Sequence, residues 1–100
     1  MTTGQRSPDA IGEVVAEIVR YAVEHPEAKD AIEGIHRWWL PGGGERWRPE
    51  EVEAALQRLA ARGWIEERRL AGRRIWAVQT DRRSEMVSWK RDQEPEERHG

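Results

Sequence analysis

Residues 49–78 read Pro49-Glu50-Glu51-Val52-Glu53-Ala54-Ala55-Leu56-Gln57-Arg58-Leu59-Ala60-Ala61-Arg62-Gly63-Trp64-Ile65-Glu66-Glu67-Arg68-Arg69-Leu70-Ala71-Gly72-Arg73-Arg74-Ile75-Trp76-Ala77-Val78, and this stretch decides the fold. Proline suits the first position of a helix, where its missing N–H would have no partner. Val52, Leu56 and Leu59 then recur at helical spacing as a buried stripe, and Glu50, Glu51 and Glu53 occupy the positive first turn. Gly63 ends the helix. Trp64 to Arg69 and Arg74 to Val78 are β-prone runs, and the tight connection Leu70-Ala71-Gly72-Arg73 offers a glycine for positive φ. A helix that feeds a β-hairpin is expected.

Two more helices are expected upstream. Ser7 followed by Pro8 is a helix start, after which Ile11, Val14, Val15, Ile18 and Ala22 form an apolar stripe opposite Glu13, Glu17, Arg20 and Glu24. Pro26 disfavours helical geometry at His25 and stops it there. Asp30 and Glu33 have the spacing of a capping box for the next helix, which carries Ile32, Ile35, Trp38 and Trp39 and ends before Pro41. Gly42-Gly43-Gly44 makes a flexible turn. Val15, Ile18, Ile35, Val52, Leu56, Leu59 and Ile65 are expected in one core.

Downstream of Thr80 the chain is hydrophilic, with Met86, Val87 and Trp89 as a short apolar patch. The expected organisation is a flexible N-terminus over residues 1–6, one domain over 7–80, and a charged, mostly disordered tail over 81–100. One hundred residues, 37% of them hydrophobic, suffice for a single modest core. Charged residues make up 36%, but the two signs are interspersed and the net charge is −2, so bulk charge names no partner. The absence of cysteine excludes disulfides, thiolate chemistry and sulfur-ligated metal sites, and fits a reducing cytoplasm. Neither a signal peptide nor a transmembrane stretch is recognisable.

The order helix, short extended connection, helix, turn, helix, strand, tight turn, strand resembles the winged helix-turn-helix superfamily over about residues 7–80. The likeness is carried by Val52 to Leu59, by Arg62-Gly63-Trp64-Ile65-Glu66 and by Gly72-Arg73-Arg74. These look like a recognition helix, a glycine turn into the first wing strand, and a Gly-Arg wing tip. A narrower likeness, His25-Pro26-Glu27-Ala28-Lys29-Asp30 with Glu33-Gly34-Ile35 and Trp38-Trp39, is to small stand-alone bacterial winged-helix proteins. The resemblance implies a mainly α fold of three helices with a small two-stranded β-hairpin as its wing. It brings no settled activity with it.

DNA-binding relatives insert the third helix into the major groove. Here its outward strip is Glu50, Ala54, Gln57 and Ala61, flanked by Glu51, Glu53 and Arg58, and carboxylates facing phosphates oppose the electrostatic term of DNA affinity. The basic residues nevertheless concentrate nearby, since residues 46–83 hold ten Lys and Arg against six Asp and Glu. Arg46 and Arg48 flank the turn before the third helix, and Arg68, Arg69, Arg73 and Arg74 load the hairpin. Phe is absent and six Trp replace it. Most are expected to fill the core. Trp38 and Trp39 are adjacent on one helix and point about 100° apart, so at least one is expected at its periphery.

Catalysis has no footing, because His25, His36 and His99 lack an acid, Cys or Ser partner at a recognisable spacing. Gly42-Gly43-Gly44 lacks the Lys-Ser/Thr of a phosphate cradle. No cofactor, metal or small-molecule substrate is expected. The first functional expectation is therefore a non-catalytic protein-binding adaptor or accessory regulatory protein, docking through Trp39, Trp47, Glu50, Glu53, Ala54 and Gln57. The second is a DNA-binding transcriptional regulator using Arg46, Arg48, Arg68, Arg69, Arg73 and Arg74. The partner is thus another protein or duplex DNA, not a membrane, and a homodimer is compatible with either.

Overall fold

The computed structural model describes residues 10–93, a mainly helical fold with a small antiparallel sheet. Helix α1 spans Ala10–Glu24 and buries Val14, Val15, Ile18, Val19 and Ala22 on one face. The expected start at Ser7 and the flexible residues 1–6 lie outside the described residues. Strand β1, Lys29–Asp30, leads into helix α2, Ile32–Gly34, which continues as a π-helical turn over Ile35–Trp39. A 3-10 turn at Pro41–Gly44 precedes helix α3, Pro49–Ala61, and the hairpin follows as β2, Ile65–Leu70, and β3, Arg73–Val78.

The capping box expected from Asp30 and Glu33 does not form. Asp30 belongs to β1, its carboxylate accepts the Ala31 N–H at 2.8 Å, and Ala31 is the N-cap with no side-chain bond. Asp30 is committed instead because β1 pairs with β3, setting Asp30 opposite Trp76. The sheet therefore has three strands in the order β1-β3-β2, one more than the two expected.

Both ends of α3 are closed by local bonds. Glu51 Oε1 accepts the Arg48 N–H at 2.9 Å, satisfying a donor at the helix start. At the other end Gly63, at φ +79°, donates to Ala60 O at 3.0 Å, and Trp64 donates to Leu59 O at 3.1 Å. This is the Schellman arrangement, in which a left-handed residue turns the chain straight into a strand.

The second departure lies at the C-terminal side. Residues 81–93, expected as part of a mostly disordered tail, form a 3-10 turn at Thr80–Arg82 and helix α4 over Arg83–Gln93; residues 94–100 lie outside the described residues. The helix is held by tertiary bonds that its polar composition conceals. Met86 is fully buried, Trp89 packs edge-on to Trp64 at 5.9 Å, and the Trp64 indole N–H donates to Glu85 at 3.0 Å. The core joins α1, the α2 turn, α3, the sheet and α4, with Trp76 its largest fully enclosed side chain, and contains every residue expected there.

Candidate functional site

The outer part of the hairpin faces solvent, since only Ile65 of β2 is buried, while β3 buries Trp76, Ala77 and Val78 against the core. Strand alternation puts Glu67, Arg69, Arg74 and Trp76 on one face and Glu66, Arg68, Leu70 and Arg73 on the other. Arg69 and Arg74 are directly opposed like charges, an unfavourable pairing unless one is drawn elsewhere. Arg74 is drawn to carboxylates on either side, donating to Glu53 at 2.8 Å and to Glu67 at 2.6 Å, with its guanidinium over the Trp76 ring. The Arg74 hydrogen bond holds the Glu53 carboxyl below its ordinary range, with further help from Gln57 Nε2 at 3.2 Å. Reciprocally, Glu53 and then Glu67 raise the Arg74 guanidinium above its ordinary value.

Of the remaining candidate arginines, Arg68 pairs with Glu66 at 3.0 Å. Arg46 reaches Glu13 at 3.4 Å and lies over the Trp47 ring. Arg48 is exposed beside the α3 cap. Arg69 and Arg73 are exposed, with no side-chain partner among the described residues. The carboxylates of α3 are largely committed, Glu51 to the helix cap and Glu53 to Arg74, while Glu50 is exposed. Ala54 is half-buried and Gln57 exposed on the same helix.

The expected docking anchors are not at the surface. Trp39 and Trp47 are each only 5% exposed, which removes the surface expected to combine them with the outward strip of α3. Trp39 stacks on Tyr21 with ring centroids 4.7 Å apart and planes 13° apart. The Trp47 indole donates to Glu13 Oε1 at 3.3 Å, across to α1. His36 secures the same turn, its Nε2–H shared between Gly44 O and Trp47 O at 2.9 Å each. Gly44 is required there: its φ is +76°, and a Cβ would run into the His36 carbonyl and ring.

The exposed tryptophan is Trp38, at 69%, which the adjacency argument allowed but did not choose. The wide π turn keeps Ile35 and Trp39 inward and leaves Trp38 facing solvent. Arg37 lies over its ring at 5.6 Å. Beside it opens a shallow cleft of about 220 Å³ between α1 and the α2 turn, lined by Glu17, Arg20, Tyr21, Glu24, Trp38, Trp39, Leu40 and Pro41. Arg20 pairs with Glu17 at 3.6 Å, and Glu24 has no side-chain partner among the described residues. The only other exposed large hydrophobic side chain among the described residues is Leu70, at 52%, on the hairpin tip.

No group of three metal-ligating side chains occurs among the described residues, and no helix there is long and apolar enough to cross a membrane. No family model and no curated protein matches the sequence. Two solved structures match in fold, one described as an SspB crystal structure and the other as magnesium ion-bound SspB. Each is 17% identical with a TM-score of 0.57, and the alignment covers 96% of this chain and 31% of the other. The chain therefore spans about a third of the length of the structures it matches, and what it shares with them is an arrangement of helices and strands.

Proposed function

We propose that the chain is a non-catalytic winged-helix module that docks onto another protein through Trp38 and the cleft beside it. The element order, with the β1-β3-β2 sheet and a projecting hairpin as the wing, supports the winged-helix reading. The observation that carries the docking role is the exposure of Trp38, at 69%, on a structured turn. An exposed tryptophan next to a charged rim is the composition of an interface hot spot, where one buried aromatic supplies about 2 kcal/mol or more of affinity. The neighbouring π turn agrees with this, because such turns cluster at functional sites. A cysteine-free module of this kind suits the reducing cytoplasm.

A photo-crosslinking residue at position 38 tests the proposal. The expected result is a discrete adduct with one other protein in extracts of the source cell, competed away by the parent and not by Trp38→Ala. Equal competition by both would overturn it.

A second reading, binding to duplex DNA, is favoured by one observation. Arg48, Arg69 and Arg73 are exposed close to a helix whose carboxylates Glu51 and Glu53 are already committed. Wing arginines on phosphate would give binding that weakens steeply with salt. Titration into random duplex DNA at two salt concentrations separates the readings, and DNA affinity lost in an Arg69→Ala, Arg73→Ala variant but kept in Trp38→Ala would favour this second one.

A further inference from the structure

We infer that strand β2 pairs with β2 of a second copy of this chain, antiparallel about a twofold axis at Glu67, so that the two sheets become one. In the order β1-β3-β2, β2 is an edge strand. The tight turn Ala71-Gly72 closes on a hydrogen-bonded pair, Leu70 with Arg73, and at the other end of the ladder the Gln79 N–H donates to Trp64 O at 2.9 Å. Hydrogen bonding alternates along an antiparallel pair, so Glu66, Arg68 and Leu70 bond β3 while Ile65, Glu67 and Arg69 turn their N–H and C=O groups outward. These outward groups have no partner among the described residues. Only Ile65 of β2 is buried, so the edge is open.

Charged side chains guard an open edge against its own copies when they carry one sign. In β2 they are Glu66-Glu67-Arg68-Arg69, both signs in equal number. An antiparallel pair sets outward residues against outward residues, so a twofold pairing of β2 with itself must place one residue on the axis. With Glu67 there, Ile65 pairs with Arg69 of the second copy and the overlap is longest. Glu66 and Arg68 then lie opposite Arg68 and Glu66 of the second copy, complementary on both sides of the axis. On the other face Glu67 meets its counterpart, but each is held by its own Arg74 at 2.6 Å and has Arg69 of the second copy diagonally across from it. Arg69 faces Arg74 within its own sheet and lacks a side-chain partner among the described residues, so the pairing supplies the carboxylate it is missing. Leu70, 52% exposed, falls opposite Trp64 of the second copy. An axis at Arg68 instead would set Arg68 against its own copy and Glu66 against Leu70.

Such a contact is isologous, the same strand on both copies, and association stops at the dimer. Ladder hydrogen bonds supply the affinity and the opposed side chains the register, as in other additions of a strand to a sheet edge. A single strand pair lies at the small end of protein interfaces, which makes the dimer a species of high protein concentration. Trp38 takes no part in it, so this inference goes beyond the proposed docking role and is decided separately from it.

Sedimentation velocity of the full chain from about 10 μM to 1 mM tests this. The expected result is a rise from monomer to dimer with no larger species. Arg69→Pro removes an outward N–H and leaves every bond to β3 in place, so it stays monomeric with a melting temperature close to the parent's. Glu66→Arg alone and Arg68→Glu alone each set like charges opposite one another and raise the dissociation constant about tenfold or more. An equal mixture of those two variants restores parent-like dimerisation, because each then meets its opposite. A parent that is monomeric up to 1 mM, association that continues past the dimer, or an Arg69→Pro variant that dimerises as the parent does would each overturn the inference. So would charge variants that associate equally well alone and mixed, or a dimer lost in Trp38→Ala and kept in Arg69→Pro.

Discussion

Arg74 donates to Glu53 across 2.8 Å and so ties the hairpin to helix α3. Because Arg74 also holds Glu67, one guanidinium joins α3, β2 and β3. The bond lowers the folded-state pKa of Glu53 below the ordinary 4.5. A depressed carboxyl stabilises the fold above its unfolded pKa, and that contribution is lost as pH falls through the folded value. Glu53→Gln should therefore reduce stability at neutral pH and flatten the acid limb of the melting-temperature profile, as pH falls through the ordinary glutamate range and below it. Equal acid slopes in parent and variant would contradict the coupling. Both side chains are over a third exposed, so the effect is modest.

Leu56 and Met86 are both fully buried, one on the stripe of α3 and the other on the helix that closes the C-terminal side. Truncating either to Ala opens a cavity and should cost about 2–5 kcal/mol, read as a shift of the urea midpoint with an unchanged slope. A cost at Met86 comparable to that at Leu56 would place α4 in the same cooperative unit as the rest of the core. Loss of stability at Leu56 alone would show α4 to be dispensable.

Trp47 and Trp38 make a contrasting pair, one buried and one exposed. Trp47→Ala should lower stability by about 3–5 kcal/mol, because it empties a packed site and leaves Glu13 without its indole donor. Trp38→Ala should change stability by no more than about 0.5 kcal/mol, as for other surface positions. Chemical denaturation of the two variants side by side checks both expectations, and a large cost at position 38 would mean its ring is structural.

Ala71 has φ +52° and Gly72 φ +79°, the left-handed pair of a two-residue hairpin turn. A Cβ at the first of these positions is strained by about 1 kcal/mol, whereas Asn tolerates the conformation. Ala71→Asn should raise stability by about 0.5–1 kcal/mol, measurable as a higher melting temperature. A lower one would argue for a different turn.

The hairpin and α3 were legible because their signals are local. Pro49 and Gly63 stand at the boundaries, and the stripe of Val52, Leu56 and Leu59 needs no distant partner to be recognised. The failed capping box shows where such reading ends: the Asp30–Glu33 spacing is correct, but Asp30 was drawn into a strand by β3, more than forty residues along the chain. Helix α4 was missed for a related reason. Its sequence is mostly polar, and its stability comes from Met86 in the core and from the contacts of Glu85 and Trp89 with Trp64.

For the surface, the sequence by itself determined that Trp38 and Trp39 diverge, that arginines crowd the hairpin, and that acids open α3, since these follow from helical and strand periodicity. Tertiary structure alone decided which of them a partner could touch. Trp39 is covered because Tyr21 of α1 stacks on it, Trp47 because its indole N–H donates to Glu13, 34 residues away, and Glu53 because Arg74 reaches it from another element. Each outcome depends on which elements pack together, and a side chain's exposure is a property of that packing rather than of its own stretch of chain.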